Sequence, residues 1–281
     1  MQTPIGCPRK DNLLPSDTLV VPISDLQSGG TTALFPDRFW QFEHCNHTPT
    51  DEQKRMFVHW LDCASKIKAA RKWKRVIVVH NGDAIDGVHH GSLQTITYLK
   101  NEQKEIHVEL METFLKAIGG ADELYYVKGT PVHVDDIEND IANDLSSEKS
   151  EKLHAFDELK LEINGKRFWF THKGPQRGKG HNRGNSIRNW LKALFYDLTA
   201  ENIELPHYII SSHFHDPDWG DYIGRHNGRY HKMELLITPS WQQKTRYGYD
   251  VAPFTLNKIG LSYLTVAKGG EISDPVEWIL K

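Results

Sequence analysis

The sequence predicts a layered α/β fold, either with one mixed sheet or with two sheets packed together. Strands and helices alternate through the front half of the chain, whereas the back half consists mainly of β-hairpins. Alternating elements are typical of parallel strands with crossover helices, and hairpins add antiparallel strands. Because the 281 residues contain no internal repeat, linker or low-complexity run, we predict a single domain over 1–281.

In the front half, three nearly continuous apolar runs predict buried strands: TLVVPISD, RVIVVHNGD and ELYYVKGT. Strands that are buried on both faces lack the alternation of half-exposed strands, which explains this composition. Thr50 and Gln53 form a capping box, which predicts the start of the first helix. Two further helices, over 96–118 and 137–145, are predicted after the second and third strands.

In the back half, two Asn-Gly dipeptides, at 164–165 and 227–228, predict hairpins. Asn-Gly suits the type I′ turn, which matches the twist of the strands that it joins. A basic, glycine-rich loop leads to a predicted helix over 187–198, and the strand HYIISSH follows it. The runs IGLSYLTVAK and EISDPVEWIL, separated by a Gly-Gly pair, predict a last pair of strands.

The composition indicates an ordinary soluble protein of a reducing compartment. The net charge of −3 is close to neutral, so the chain as a whole does not bind polyanions by charge. Its three cysteines form no Cys-x-x-Cys motif, which indicates neither a disulfide framework nor a thiolate zinc site. There is no signal-peptide pattern and no apolar run of the roughly 20 residues that span a bilayer. A cytoplasmic location without membrane contact is therefore expected.

Potential metal ligands or acid/base groups follow the ends of five predicted strands. In chain order they are Asp25, Asp83, Thr130, His172 and the pair His213 and His215. Because sites in open α/β sheets form beyond the carboxyl ends of strands, these side chains are expected to share one pocket. The two histidines of the pair can face one cavity, since the side chains of a strand alternate.

Each of these residues also has an ordinary structural interpretation. Asp25 can cap a turn, Asp83 lies in an Asn-Gly-Asp turn, and a lone histidine such as His172 is more often a structural residue. Their joint placement favours a site, because imidazole and carboxylate ligands suit Zn, Fe, Mn and Ni. Two cations about 3.5–4 Å apart can clamp a phosphoryl group. The sequence contains no P-loop and no Gly-x-Ser-x-Gly elbow. Neither nucleoside-triphosphate binding by a P-loop nor catalysis by a serine nucleophile is therefore indicated.

Five short motifs in a fixed order resemble those of a known family. They read SDLQ, NGDAIDG, KGTPVHV, THKG and SSHFH, and they span Asp25 to His215. This order resembles the D-x-H, G-D-x-x-D, G-N-H-[DE], lone His and G-H-x-H pattern of the calcineurin-like metallophosphoesterase superfamily. The variant G-T-x-x-H and the later TPSWQ are similar to members from phages and prophages. The resemblance implies a four-layer sandwich of two mixed β-sheets flanked by helices, in a bacterium or a phage-infected host cell.

The same resemblance implies a centre with two divalent metal ions. Its ligands would be Asp25, Gln27 and His215 at the first metal, His172 and His213 at the second, Asp83 at both, and Thr130 where the family has an asparagine. Gln27 replaces a histidine, and an amide oxygen is a harder ligand than imidazole. Mn²⁺ is therefore expected, ahead of Ni²⁺, Fe, Zn²⁺ or Mg²⁺. His133 is the expected catalytic histidine, the general acid that protonates the leaving alkoxide.

The loop that follows His172 is basic and rich in glycine. Arg177, Lys179 and Arg183 are candidate substrate-binding residues, because arginine and lysine bind phosphate groups. A solvated surface loop is the alternative interpretation. The aromatic-rich segment SWQQKTRYGYD can stack bases or pack into the core. These features favour DNA, RNA or a nucleotide as the partner, with phosphate contacts that position it.

The expected function is metal-dependent hydrolysis of a phosphomonoester or phosphodiester, by direct attack of a hydroxide that bridges the two metals. Nucleic acids or nucleotides are the preferred substrate class. A catalytically degenerate module that binds phosphate or nucleic acid is the alternative, since Gln27 and Thr130 depart from the family pattern. A structural phage protein that reuses the fold is a third interpretation.

Overall fold

The chain forms a mixed α/β structure in a computed structural model, which describes residues 17–69, 75–88, 94–134, 136–149, 153–178, 182–251 and 257–280. The elements in chain order are β1 Thr18–Ile23, β2 Trp40–Gln41, β3 Asn46–His47, α1 Asp51–Ala69, β4 Arg75–Asn81, α2 Lys100–Ile118, β5 Glu123–Val127, α3 Pro131–Val134, α4 Ile137–Asp144, β6 Ala155–Phe156, β7 Leu159–Ile163, β8 Lys166–Phe170, α5 Asn185–Ala200, β9 Tyr208–Ser211, β10 Asp218–His226, β11 Arg229–Ile237, α6 Arg246–Val251, β12 Gly260–Val266 and β13 Val276–Ile279.

Two mixed sheets account for most of the strands. The first has the order β13-β12-β1-β4-β5-β6, and the second has the order β10-β11-β9-β8-β7. Strands β1, β4, β5 and β6 are parallel to one another, as are β8, β9 and β11. Strands β1, β4, β5 and β9 come from predicted apolar runs, whereas β8 and β11, which pair in parallel with β9, come from the predicted Asn-Gly hairpins. This confirms the α/β class and the mixed pairing.

The two sheets pack face to face over a shared apolar core. Val79 and Ile77 of β4 lie in one buried cluster with Phe168 of β8 and Tyr208 of β9. A second cluster joins the other face of the first sheet to α1 and α2, and a third joins the second sheet to α5. Because both faces of each sheet are covered, the central strands read as continuous apolar runs.

The local signals of the sequence are largely confirmed. Thr50 and Gln53 bond to each other's backbone amides at 3.1 and 3.2 Å, as a capping box requires. Both Asn-Gly turns have positive φ at each residue, the mark of type I′. The helix predicted from residue 96 begins only at Lys100, because the amide of Ile96 bonds to the carbonyl of Gly29 at 2.7 Å.

Among the described residues, none of the helices combines the length and apolarity that a bilayer-spanning helix requires.

Candidate metal centre

The ends of strands from both sheets meet at one place. The amide of Asp25, after β1, bonds to the carbonyl of Gly82, after β4, at 3.0 Å. The amide of His213, after β9, bonds to Asp25 Oδ2 at 3.2 Å. The amide of Thr130, after β5, bonds to Asp83 Oδ1 at 2.6 Å. The structure therefore brings together the strand-end residues that the sequence singled out.

Asp83, His172 and His213 form a group that could hold a metal ion. One ligand atom from each lies within 4.8 Å of those of the other two. Asp83 Oδ2 is 3.1 Å from His172 Nε2 and 4.0 Å from His213 Nδ1. A carboxylate and two imidazoles are suitable ligands for Mn, Fe, Zn or Ni, and they do not identify the ion.

Two atoms of this group are buried against each other. Asp83 Oδ2 and His172 Nε2 are both inaccessible to solvent, lie 3.1 Å apart and have no other hydrogen-bond partner among the described residues. The other ring nitrogen of His172, Nδ1, is 2.9 Å from the carbonyl of Asn81. Because a carbonyl only accepts, Nδ1 donates there and Nε2 can offer its lone pair to a metal. The donor set thus suits a cation.

The electrostatics of the centre also suit a cation. Burial raises the pKa of Asp83, but the facing His172 outweighs it and holds that pKa below its usual range. Burial lowers the pKa of His172, but Asp83 outweighs it and raises that pKa to about 10. Burial and the neighbouring His172 lower the pKa of His213, which keeps its ring neutral. Without a cation, a proton on His172 balances the buried carboxylate.

Asp25, His215 and Gln27 lie beside this group. His215 Nε2 is 3.1 Å from Asp25 Oδ1, and Gln27 Oε1 is buried without a partner. An acceptor oxygen that is buried and unsatisfied is rare in proteins, so the amide oxygen is suited to a ligand role. Among the described His, Cys, Asp and Glu residues, neither Asp25 nor His215 belongs to a group of three with ligand spacing.

Thr130 and His133 lie next to the ligands in different ways. Thr130 Oγ1 is 3.3 Å from His213 Nδ1, so this threonine contacts two candidate ligands through its amide and its hydroxyl. His133 lies in the short helix α3, and its Nδ1 is 2.7 Å from the carbonyl of Asp86. Nδ1 therefore donates to that carbonyl, which orients the ring of His133. The electrostatic interaction with His133 also lowers the pKa of Asp83.

The backbone of the centre is unusual. Positive φ values occur at nine non-glycine residues of the described chain, and five of them are candidate site residues: Asp25, Gln27, Asp83, His213 and His215. Such conformations are uncommon for residues with a side chain, and they persist only where the surrounding structure enforces them. Gly82 has φ 93°, and a Cβ there would lie 2.4 Å from His172 Nδ1. The Asn-Gly-Asp sequence is therefore needed for close packing as well as for the turn.

The basic loop docks on the segment that follows His215. Arg177 Nε lies 2.9 Å from Asp216 Oδ2, and Arg183 Nε lies 3.4 Å from Asp218 Oδ1. Both predicted phosphate-binding arginines thus face a carboxylate in this structure. Lys179 lies outside the described residues. In the aromatic-rich segment Trp241 is fully buried, so at this residue the core interpretation is confirmed.

Sequence reasoning missed two residues that support the centre. Asn257 Nδ2 lies 2.9 Å from His215 Nδ1 and donates to the carbonyl of Gln242 at 2.9 Å. Glu138 accepts bonds from the amides of Ala84 and Gly129 at 2.9 and 2.6 Å. Asn257 follows no strand end, and Glu138 falls in a helical stretch, so no local pattern marks either residue.

Comparisons with known proteins leave the family open. No family model matches the chain, and no curated protein matches it. Among the solved structures that match is the solution NMR structure of a Thermotoga maritima protein, with 16% identity. The match covers 94% of this chain and 99% of that chain, at a TM-score of 0.34. At that TM-score the likeness decides neither fold nor function.

Proposed function

We propose that the protein is a metal-dependent phosphoesterase with two divalent cations, which hydrolyses a phosphomonoester or a phosphodiester. The observation that carries this proposal is the pair Asp83 Oδ2 and His172 Nε2, which are buried 3.1 Å apart, with His213 Nδ1 4.0 Å from the same carboxylate oxygen. A carboxylate buried in this way needs a positive charge beside it. A cation held by Asp83, His172 and His213 would supply that charge in place of the proton on His172.

The resemblance to calcineurin-like metallophosphoesterases supports the same proposal. Its five motifs fall at the ends of β1, β4, β5, β8 and β9, where their side chains converge. Two mixed sheets that share an apolar core, with helices packed on their outer faces, are consistent with the four-layer sandwich of that family. The motif order and the layer order thus both favour a calcineurin-like metallophosphoesterase.

Each cation would have its own protein ligands. Asp83, His172 and His213 would hold one, and Asp25, Gln27 and His215 would hold the other, with Asp83 between them. Mn²⁺ is the proposed metal, because the set contains carboxylate and amide oxygens besides imidazoles. When bound, such cations supply an activated water and neutralise charge on the phosphoryl group.

The other polar residues of the centre have separate proposed roles. Thr130 holds Asp83 and His213 in place through its amide and hydroxyl. His133, whose Nδ1 proton is held by the carbonyl of Asp86, is the proposed general acid for the leaving group. Arg177 and Arg183 of the basic loop are the proposed phosphate contacts, released from Asp216 and Asp218 when substrate binds. A nucleic acid or nucleotide is the proposed substrate class.

Hydrolysis of bis-p-nitrophenyl phosphate tests the proposal. Purified protein should gain activity with Mn²⁺ or Ni²⁺ and lose it with a chelator. Asp83→Asn and His213→Ala should abolish the metal-stimulated rate, whereas His44→Ala, at an exposed histidine, should keep it. Full activity in the first two variants would show that the assignment is wrong.

A binding module without turnover is the second candidate. The contacts of Thr130 favour it, because the threonine bonds to Asp83 and His213 where the family has an asparagine ligand. Elemental analysis separates the two candidates. Fewer than one bound metal per chain, with no hydrolysis of any ester tested, supports the binding module.

A further inference from the structure

Glu138 is a buried carboxylate that joins the two loops beneath the metal centre. It lies in the first turn of α4 and is fully buried. Its Oε1 accepts a hydrogen bond from the amide of Ala84 at 2.9 Å, and its Oε2 accepts one from the amide of Gly129 at 2.6 Å. These amides belong to the residues directly after Asp83 and directly before Thr130. One side chain thus holds the segments that follow β4 and β5.

A third hydrogen bond links the same two loops, after β4 and β5, directly to each other. The amide of Thr130 donates to Asp83 Oδ1 at 2.6 Å. Because that bond occupies Oδ1, the second oxygen, Oδ2, faces His172 at 3.1 Å. The loops also touch closely, since a Cβ on Gly129 would lie 2.1 Å from the amide nitrogen of Asp83. The direction in which Asp83 presents Oδ2 therefore depends on the spacing that Glu138 sets.

Burying the Glu138 carboxylate costs desolvation free energy, so this residue is expected to have a compensating role. No cation forms an ion pair with it among the described residues, and burial raises its pKa to about 7. An apolar side chain in that place would avoid the desolvation of a carboxylate. Groups that hydrogen-bond to metal ligands orient them and tune metal affinity, and Glu138 contacts the backbone on which Asp83 and Thr130 lie.

We propose that Glu138 is a positioning residue of the metal centre, which orients Asp83 by fixing the amides of Ala84 and Gly129. The inference rests on the proposed function only in one respect, namely that the centre binds a metal ion. It concerns metal affinity and ligand geometry, which are measurable without any substrate.

The test is Glu138→Gln, which keeps the size of the side chain and replaces one acceptor oxygen by an NH₂ group. That group then faces a backbone N–H, so one of the two bonds becomes a contact between donors. Mn²⁺ affinity, measured by titration calorimetry, should fall about 10- to 100-fold. The visible absorption spectrum of the Co²⁺-loaded protein should shift, because the ligand geometry changes.

Asp122→Asn is the matched control. Asp122 Oδ2 accepts a bond from the amide of Val76 at 2.6 Å, and thus joins the same two strands, β4 and β5, at the opposite end. This variant should lose thermal stability but keep wild-type Mn²⁺ affinity and the wild-type Co²⁺ spectrum. If Glu138→Gln fails to fold, Glu138→Asp replaces it, since the shorter carboxylate reaches only one of the two amides.

Wild-type affinity and spectrum in the Glu138 variant would overturn the proposal, as would an equal loss of affinity in Asp122→Asn. A protein whose Mn²⁺ binding depends on Glu138 but that hydrolyses no ester would refute the phosphoesterase alone. A protein that hydrolyses esters with an affinity independent of Glu138 would refute the positioning role alone. Absence of Mn²⁺ binding in the wild type would overturn both.

Discussion

Asp83 Oδ2 lies 3.1 Å from His172 Nε2, at the junction of the two sheets. His172 donates its other ring proton to the carbonyl of Asn81, the last residue of β4. The strand that leads to Asp83 therefore also fixes the ring that faces it. The bond at Nδ1 leaves His172 Nε2 directed at Asp83 Oδ2.

Metal affinity should rise with pH. Asp83 raises the pKa of His172 from 6.5 to about 10, so in the metal-free protein this histidine carries a proton at neutral pH. Its contribution to the stability of that form is complete below pH 6.5 and is lost as the pH rises through about 10. A metal must displace the proton, so the association constant should increase about tenfold per pH unit between pH 7 and 9.

Calorimetric titration with Mn²⁺ in buffers of different ionisation enthalpy checks this. About one proton should be released for each cation bound by Asp83, His172 and His213. An affinity that does not vary with pH, or no proton release, would contradict the coupling. His44, which is exposed, offers the control variant His44→Ala, whose proton release should equal that of the wild type.

Removal of the His133 side chain should affect substrates according to their leaving groups. A general acid matters most when the leaving alkoxide is a strong base. His133→Gln should therefore lower kcat about 100-fold or more for a dinucleotide, and far less for bis-p-nitrophenyl phosphate, whose leaving group needs no proton. Mn²⁺ affinity should stay at the wild-type value. An equal loss on both substrates would show that His133 acts otherwise.

Thr238 should be important for stability because it lies in a buried chain of hydroxyl groups that joins both sheets. Its Oγ1 is 2.7 Å from Ser24 Oγ and 2.9 Å from Ser212 Oγ, which also accepts from Asn81 Nδ2 at 2.6 Å. Thr238→Val keeps the shape but leaves buried partners unsatisfied. The free energy of unfolding, measured with urea, should fall by about 1–3 kcal/mol.

Two further variants test the hydroxyl chain. Thr238→Ser retains the hydroxyl and should recover most of the loss caused by Thr238→Val. Ser262→Ala removes a buried hydroxyl that has no hydrogen-bond partner in the described part of the chain, and it should cost much less. Similar losses in Thr238→Val and Ser262→Ala would indicate that the chain contributes nothing specific.

Replacement of Gln27 by histidine should strengthen the cation site proposed for Asp25, Gln27 and His215. Gln27 has φ 43°, a conformation that histidine tolerates better than most residues, and imidazole binds Mn²⁺, Ni²⁺ and Zn²⁺ well. Elemental analysis of Gln27→His should show more metal per chain than the wild type. Gln176→His, at an exposed position, should leave the stoichiometry unchanged. A Gln27→His protein with no more metal than the wild type would contradict a ligand role.

The sequence predicted the candidate ligands better than their supports. Asp83 and His172 follow apolar runs, and the end of such a run is visible in the sequence because burial on both faces makes it continuous. Glu138 contacts backbone amides, and Asn257 contacts a ring nitrogen. Neither kind of contact produces a recognisable spacing of residues in the sequence. The pairing of Arg177 with Asp216 was equally invisible, because it depends on how a long loop folds back.

The start of α2 shows the same limit on a smaller scale. The residues from 96 onward have a helical composition, yet the helix begins only at Lys100. Thr95 and Ile96 pair instead with the loop of Gly29 and Gly30. A long-range backbone contact overrides local preference there.

The ligands come from different sheets: Asp83 extends from the first, and His172 and His213 extend from the second. A cation in that position would cross-link the two sheets, because neither sheet could move relative to the other without breaking a coordination bond. Loading the protein with metal should therefore raise the melting temperature of the two sheets together.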